Sequence, residues 1–376
     1  MKRNAELRRV SAKKLGSGSR SVFCFMVVNP QHADSRSTGS HSRGSPFRAL
    51  RNCQRPIECL SLRRMEPITF NPLYMERVWG GRELARIYGR TLPDATTPYG
   101  EAWEIVDREN EQSVVADGIY QGVTLHELWT NHRTEIFGDG FQDHLRFPIL
   151  IKVLDARENL SVQVHPPADL AEALGGEPKT EMWFIADCDA GAKLYVGLKK
   201  EVTREGFKHA VAHGTVADCI HAIEPKIGES IFIKSGRLHA IGAGFLIHEI
   251  QQNSDTTYRV FDWNRLGLDG KPRKLHYGES LSSIDFTDFE PTMDRPIGEN
   301  LATCDYFKTD KKSLKPGETL GNPQTGQFSI LSVVEGQLAT ENGQNFDKGS
   351  FILLPRDAQP LESLEDSTVL QITLPK

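Results

Sequence analysis

The sequence predicts a mainly β protein with two barrel-like units, small helical insertions and a disordered N-terminal extension. After the extension, short β-type runs are broken by Gly, Pro and Asp, which is typical of a barrel or sandwich rather than of alternating βαβ units. A similar spacing of turn and strand residues occurs at 228–239 and again at 349–360, which indicates two similar units. We therefore expect an extension over 1–64, a first unit over 65–300 and a second over 301–376.

The individual elements have local signals. A helix is expected over 124–137, where Thr124 and Glu127 have the spacing of a capping box. A second helix is expected over 203–223, and residues 333–338 are expected to form a hairpin in the second unit. Short runs of β-branched and aromatic residues predict strands at 149–154, 182–186, 194–196, 230–234, 245–250 and 258–261.

Length and composition limit the possible functions. A chain of 376 residues is long enough for two compact units, and no apolar run approaches the ~18 residues of a membrane span. The six cysteines include no CxxC pair, which argues against a thiolate zinc site or a disulfide framework and favours a reducing, cytoplasmic compartment. Outside residues 1–64 the chain holds 31 Lys/Arg against 47 Asp/Glu, and this acidic balance gives no support to nucleic-acid binding.

The N-terminal extension is basic, with 14 Lys/Arg against 3 Asp/Glu over residues 1–64. Three interpretations remain open: a translocation or transit signal, a basic tail for an acidic partner, or a mispredicted start with translation beginning at Met65. We expect the extension to take no part in catalysis.

Four polar side chains in β-type segments suggest a metal site. Gln163 and His165 lie two residues apart and face the same way in an extended strand, while the intervening valine faces the opposite side. Glu181 and His239 lie in further β-rich runs, so all four side chains can converge inside one barrel. One amide oxygen, one carboxylate and two imidazoles form an N/O ligand set that suits a catalytic divalent ion. The alternative is that each residue is an isolated polar group near a core.

These segments carry a resemblance to a known family. From about Met65 to the C-terminus, the chain resembles type I mannose-6-phosphate isomerases of the short bacterial form, which are metal-dependent enzymes of the cupin superfamily. The most specific stretch is the block at 249–260, Glu-Ile-Gln-Gln-Asn-Ser-Asp-Thr-Thr-Tyr-Arg-Val. The other matching segments are 70–72, 78–81, 100–104, 147–152, 161–165, 179–183 and 236–244.

The resemblance implies two cupin domains, each a jelly-roll β-barrel. The segment at 228–239 is similar to the second cupin motif, with Lys234 at a position that is usually proline. In the similar segment at 349–360, Asp357 replaces the glycine and Pro360 replaces the histidine ligand. We therefore expect the second barrel to be degenerate and to hold no metal.

The resemblance also implies an activity and its residues. The expected reaction interconverts D-mannose 6-phosphate and D-fructose 6-phosphate through a cis-enediol(ate), with one metal per chain. Zn²⁺ suits the ligand set best, and Mn²⁺, Co²⁺ or Fe²⁺ are alternatives. The expected metal ligands are Gln163, His165, Glu181 and His239; the expected catalytic residues are Arg259, Glu249, Asp255 and Lys179; the expected substrate-binding residues are Lys152, Ser161, Lys179 and Arg259.

Several alternatives stay open at this level. Glu249, Asp255 or a metal-bound water is a candidate base, and Arg259 has a structural salt bridge to Asp255 or Asp262 as its alternative role. The competing functions are a non-catalytic sugar-phosphate-binding cupin and a metal-dependent oxygenase. The expected partner is a small sugar phosphate, with no nucleic acid and no membrane, and the chain is expected to be a monomer or weak homodimer. His248 is expected to point away from the site.

Overall fold

The computed structural model describes residues 65–141 and 144–375, so the expected disorder of residues 1–64 lies outside the described part of the chain. Its α-helices are α1 (Glu83–Tyr88), α2 (Leu125–Asn131), α3 (Arg133–Ile136), α4 (Ala168–Ala171), α5 (Arg204–His213) and α6 (Tyr277–Ser283), with 3₁₀ turns at Gly118–Tyr120 and Val216–Cys219. No helix within these described ranges has both the length and the apolar character needed to cross a membrane.

The strands outnumber the helices, which confirms the mainly β prediction. In chain order they are β1 (Ile68–Asn71), β2 (Leu73–Gly81), β3 (Tyr99–Ile105), β4 (Val114–Val115), β5 (Ile149–Ala156), β6 (Val162–Val164), β7 (Glu181–Cys188), β8 (Leu194–Leu198), β9 (Ile220–Ile223), β10 (Ser230–Ile233), β11 (His239–Ile241), β12 (Phe245–Gln252), β13 (Tyr258–Phe261), β14 (Asn300–Thr303), β15 (Lys308–Leu314), β16 (Thr319–Leu320), β17 (Ser329–Glu335), β18 (Gln337–Ala339), β19 (Asn345–Asp347), β20 (Phe351–Leu354), β21 (Leu361–Ser363) and β22 (Ser367–Thr373).

The strands form four sheets, which pair into two barrels. The first barrel combines a six-stranded sheet, ordered β10-β7-β12-β5-β2-β3, with a five-stranded sheet, ordered β13-β6-β11-β8-β9. The second barrel combines a seven-stranded sheet, ordered β14-β15-β22-β17-β20-β1-β4, with a four-stranded sheet, ordered β16-β21-β18-β19. Strand β1 therefore lies in the second barrel although it opens the described chain, with Ile68 opposite Leu353.

Three sequence-predicted elements differ from the structure. The expected helix over 124–137 is divided into α2 and α3 at His132, whose φ of −124° is not helical. The expected helix over 203–223 has Thr203 at its N-cap but ends at His213, because Gly214 takes a left-handed conformation with φ of 71°. The remaining residues form a 3₁₀ turn and strand β9. The expected hairpin over 333–338 is also wrong: β17 and β18 belong to different sheets, and the chain passes between them at Gly336.

The largest apolar core lies between the two barrels. Side chains on the outer face of the first barrel, such as Phe184, pack in the same cluster as Leu370 and Ile372 of the second barrel. His248 is fully buried in this region and hydrogen-bonds to Ser332 Oγ at 2.8 Å. Alternation along β12 therefore turns His248 away from the interior of the first barrel, as the sequence predicted.

Candidate active site

The candidate metal ligands come from both sheets of the first barrel. In β6, alternation buries Val162 and Val164 in the apolar cluster shared with helix α5, so that Gln163 faces the barrel interior. His239 opens β11 and lies directly opposite Gln163 across the strand pair. Glu181 opens β7 in the other sheet. Strand pairing thus brings residues together that are far apart in sequence.

Three of the predicted ligands form one compact cluster. The ligand atoms of His165, Glu181 and His239 all lie within 4.8 Å of one another, and all three residues are buried. His165 Nε2 lies 3.6 Å from Glu181 Oε2, and His239 Nε2 lies 3.6 Å from Glu181 Oε1. These separations leave a central position that each ligand atom can reach.

Hydrogen bonds to the backbone fix both imidazoles in the form that binds a metal. His165 Nδ1 donates to the carbonyl of Thr256 at 2.8 Å, and His239 Nδ1 donates to the carbonyl of Arg237 at 2.9 Å. Because a carbonyl only accepts, each Nδ1 carries the proton and each Nε2 presents a lone pair to the centre. Burial lowers the pKa of both rings, that of His239 to about 3, which keeps them neutral.

Three ligand atoms are orphaned unless a cation occupies the centre. His165 Nε2 and both carboxylate oxygens of Glu181 are buried and have no hydrogen-bond partner in the described residues, although Oε2 forms an ion pair with Lys179. Unpaired buried polar atoms are costly and rare in folded proteins. This donor set therefore fits a divalent ion with mixed nitrogen and oxygen ligands.

Gln163 faces the same centre. Its amide group lies 3.3 Å from His239 Nε2, and its Oε1 accepts from Ser161 Oγ at 3.3 Å. Rotation of the amide by half a turn exchanges its two ends and directs the oxygen to the centre, since only the oxygen can act as a ligand.

The turn before His239 requires a glycine. Gly236 has φ of 90°, and its amide donates to the carbonyl of His165 at 2.9 Å, which ties the two histidine segments together. Lys234, at the position expected to be proline, forms an ion pair with Asp285 at 2.9 Å. The departure from the motif thus lies outside the ligand cluster.

A row of four side chains crosses the six-stranded sheet next to the metal cluster. Trp103 on β3 pairs with Lys152 on β5, Lys152 pairs with Glu249 on β12, and Glu249 pairs with Trp183 on β7. We call these four residues the transverse row. Because they occupy one register position on adjacent strands, their side chains share the interior face of the barrel.

Two lysines lie among carboxylates at the site. Lys179 Nζ lies 3.0 Å from Glu181 Oε2, as their spacing on one strand face predicted. Lys152 Nζ lies 3.7 Å from Glu249 Oε2 and 3.8 Å from Asp255 Oδ1, and it sits over the Trp103 ring. The carboxylates hold the pKa of Lys179 above its usual value despite burial, so it stays charged.

Two glutamates on either side of Lys152, Glu101 and Glu249, have different environments. Glu101 accepts from Trp103 Nε1 at 2.6 Å and from Arg77 at 3.0 Å. Despite burial, the Lys152 and Arg77 cations lower the pKa of Glu101 to about 2. For Glu249, burial raises the pKa to about 7, with the neighbouring carboxylates adding to the rise and the two lysines opposing it. Glu249 is therefore poised to exchange a proton near neutral pH.

Arg259 has no carboxylate within ion-pair distance among the described residues. It lies opposite Gln163 on β13, and its Nε donates to Ser161 Oγ at 3.2 Å. Asp262, one expected partner, pairs instead with Arg265 and Arg273, and Asp255 pairs with Lys152. Burial, reinforced by the Arg273 charge, lowers the pKa of Arg259 to about 10, which leaves it cationic at neutral pH.

A cavity of about 690 Å³ lies beside the metal cluster, which it meets at Gln163 and Lys179. Its wall includes Gln163, Lys179, Glu249 and Arg259, together with residues that sequence analysis did not assign to the site. The unassigned residues include Arg77, Trp79, Glu101, Arg273, Lys274 and His276. Trp79 and Glu101 lie in segments that matched the family, at 78–81 and 100–104, and this was the available signal. The others follow only from tertiary contacts.

Comparisons with known proteins identify the family of the chain. A family model described as phosphomannose isomerase type I, catalytic domain, matches residues 68–181. Mannose-6-phosphate isomerase ManA of Bacillus subtilis is 38% identical over 302 residues, which cover 77% of this chain and 93% of the relative. Mannose-6-phosphate isomerase of Streptococcus mutans is 34% identical over 302 residues, covering 77% of this chain and 92% of the relative.

Solved structures extend the comparison. The crystal structure of mannose 6-phosphate isomerase from Bacillus subtilis has a TM-score of 0.73 and 30% identity, and the match covers 82% of this chain and all of that chain, 100%. A putative mannosephosphate isomerase from Archaeoglobus fulgidus, at 21% identity and a TM-score of 0.68, shares the fold over 84% of this chain and 100% of its own. The chain therefore belongs to the type I mannose-6-phosphate isomerase family.

Proposed function

We propose that this enzyme interconverts D-mannose 6-phosphate and D-fructose 6-phosphate through a cis-enediol(ate), with a divalent ion held by Gln163, His165, Glu181 and His239. The observation that carries the proposal is the buried ligand cluster, with three orphaned ligand atoms, in a member of this family. Gln163 and Lys179, which contact the cluster, line the neighbouring cavity. The N/O ligand set favours Zn²⁺, with Mn²⁺, Co²⁺ or Fe²⁺ as alternatives.

The reaction moves a proton between C1 and C2 of the open-chain sugar. When bound, the ion supplies Lewis-acid polarisation of the carbonyl and the neighbouring hydroxyl. We assign the proton transfer to Glu249, because its pKa of about 7 lets it accept and return a proton near neutral pH. Asp255 is the second candidate; its side chain is 53% exposed, so it is less shielded from water than Glu249.

The lysines stabilise negative charge near the reacting carbons. Lys152 and Lys179 are buried, and each lies within 4.0 Å of a Glu249 oxygen. A fixed ammonium in a buried site stabilises a developing oxyanion more strongly than one in water. We therefore assign both lysines to the enediolate rather than to the distal phosphate.

Arg259 is the proposed phosphate-binding residue. Its guanidinium has no acidic partner among the described side chains, and the planar fork suits two phosphate oxygens. Ser161 hydrogen-bonds Arg259 and offers a hydroxyl to the same anion. Lys274 and His276 line the same cavity and add donors at its edge.

We further propose a cytoplasmic enzyme that is a monomer or weak homodimer. The described cysteines, Cys188, Cys219 and Cys304, are all free, which fits a reducing compartment. Light scattering after gel filtration measures the mass of the particle and tests the oligomeric state.

A coupled assay of mannose 6-phosphate isomerisation tests the function. The full chain is assayed as purified, after chelation, and after Zn²⁺ is restored, with glucose 6-phosphate as the control substrate. We expect activity that is lost on chelation and recovered with metal. Metal-loaded protein that binds mannose 6-phosphate without turnover would favour the non-catalytic sugar-phosphate-binding alternative.

A further inference from the structure

Trp183 contacts both the metal cluster and the proposed base. Its indole Nε1 donates to Glu249 Oε1 at 3.2 Å. Its ring meets the His239 ring edge-on, with 5.3 Å between centroids and an interplanar angle of 80°. Trp183 is fully buried, and it stands two residues after Glu181 on the same face of β7. One rigid side chain thus touches two functional groups.

The indole is the hydrogen-bond donor that orients Glu249. Among the described residues, no other donor lies within hydrogen-bond distance of this carboxylate. The lysine ammonium groups are farther away, with Lys152 Nζ at 3.7 Å from Oε2 and Lys179 Nζ at 4.0 Å from Oε1. The indole therefore holds Oε1, and Oε2 is the oxygen left without a hydrogen bond.

The other end of the transverse row has a matching arrangement. Trp103 donates its indole N–H to Glu101 Oε2 at 2.6 Å, on the far side of Lys152. Glu101 has a second donor in Arg77, whereas Glu249 has the indole alone. Packing explains a large apolar ring at position 183, but it does not explain why the polar edge of that ring is directed at Glu249.

We propose that Trp183 is a positioning residue for the isomerase reaction: it fixes Glu249 by Oε1, presents Oε2 for proton transfer, and braces His239 with its ring. The inference rests on the proposed function, because Glu249 must act as the base. Trp183 itself touches no reacting atom in this scheme. Its effect on turnover passes through Glu249.

A double-mutant cycle tests this assignment. Trp183→Phe keeps an aromatic ring and removes the N–H, so we expect kcat to fall about 10- to 100-fold, the range seen when an orienting partner is lost, with KM within about twofold and zinc content unchanged. In a Glu249→Gln background the same change is expected to have no further effect on kcat. Phe184→Leu, on the opposite face of β7, is the control for lost packing and is expected to leave kcat unchanged.

Two kinetic results would overturn the proposal: an unchanged kcat in Trp183→Phe, or losses that multiply in the double variant. An inactive wild-type enzyme is a different outcome, because it removes the proposed function and with it any role for Trp183 in turnover.

Indole NMR provides a readout that is independent of activity and of the folding of Trp183→Phe. The chain has 5 tryptophans, and their indole N–H signals are compared in wild-type and Glu249→Gln protein. Loss of the charged acceptor weakens one hydrogen bond, so we expect one indole signal to move upfield and the others to stay in place. Five unshifted signals show that the indole does not hold Glu249, and the proposal is then wrong.

Discussion

In the first barrel, β10 leads through a turn into β11 and places His239 in the interior, whereas in the second barrel β20 leads into β21 and leaves Pro360 exposed. In both cases the chain passes from one sheet of the barrel to the other. The interiors differ in character. In the first, buried imidazoles, carboxylates and lysines lie beside an apolar cluster, while leucine, valine, isoleucine and phenylalanine fill the second. A connection between the two sheets at this point therefore serves either a reactive site or an apolar core, although Gly236 has a positive φ and Asp357, at the matching position, does not.

The ligand cluster of the first barrel depends on several strands at once. The second barrel has proline in place of the turn histidine, which accounts for the loss of one ligand only. Apolar side chains such as Leu331, Leu338 and Leu361 also lie across its interior. A buried charge without partners is unfavourable, so a barrel that loses its metal favours apolar replacements throughout. The second barrel now contributes packing against the first barrel through the shared core.

We expect the largest effect when a metal ligand of the first barrel is removed. His239→Ala removes a buried ligand, and we expect zinc retention to be lost and kcat/KM to fall at least about 1000-fold, since Lewis-acid stabilisation contributes several kcal/mol and each 1.4 kcal/mol is tenfold. Metal analysis and the coupled assay measure both. Pro360→Ala at the corresponding turn is the control, and it should retain full activity; a loss there would assign the second barrel a part in catalysis.

The next effect concerns the two glutamates beside Lys152. Glu249 must be ionised to accept a proton, so kcat/KM is expected to rise with pH through about 7 and to be lost below it. Glu249→Gln should remove this rise of kcat/KM with pH and lower kcat about 100- to 10,000-fold, the usual contribution of a general base. Glu101, with a pKa of about 2, stays ionised, so Glu101→Gln should keep the rise. If kcat/KM of Glu249→Gln still rises with pH through about 7, the base is Asp255 or a metal-bound water.

A smaller effect is expected at the contact between the barrels. Burial lowers the pKa of His248 from 6.5 to about 3, so the folded state keeps the ring neutral while the unfolded chain binds a proton below pH 6.5. Stability from this group is thus present above pH 6.5 and is lost as the pH falls toward 3, by about 2 kcal/mol between pH 6.5 and pH 5. Urea unfolding at several pH values measures it, and His248→Gln should reduce the slope. Equal slopes would show that His248 titrates normally.

The smallest effect is expected from an attempt to restore the second site. Pro360→His replaces an exposed residue, and no other described ligand group forms a metal cluster in that barrel. We therefore expect no change in the metal bound per chain, measured by metal analysis after gel filtration. An additional zinc ion per chain would show that the second barrel had lost only its histidine.

Much of the site follows from strand alternation and the family resemblance. The spacing of Gln163 and His165, and of Lys179 and Glu181, fixed which side chains share a face, and the structure brings these pairs to one centre. The contacts of Glu101 could not be predicted in the same way, because they depend on the register between β3 and β5. The partners of Asp262 likewise depend on how the chain folds back after β13.

Prediction of the fold from the sequence has the same limit, because only local or repetitive signals can be recognised. The mainly β architecture and the Thr124 capping box were predictable because both are local or repetitive signals. The sheet change at Gly336 was not, since a short turn between two β-type runs has the same sequence signal in a hairpin and in a connection between sheets. The end of α5 was predictable from Gly214, because glycine is common just after the last residue of a helix. The expected helix over 203–223 ran past this signal.

The position of β1 also has a consequence for synthesis of the chain. Ile68 pairs with Leu353, so the first described strand cannot complete its sheet until residues 351–354 have left the ribosome. A pairing between distant segments delays the closing step of folding, because the long intervening loop must first be ordered. During translation the edge of β1 that pairs with β20 therefore stays unpaired while the strands of the first barrel are synthesised. A chain truncated before Phe351 would keep every ligand of the metal cluster and still leave β1 without its β20 partner.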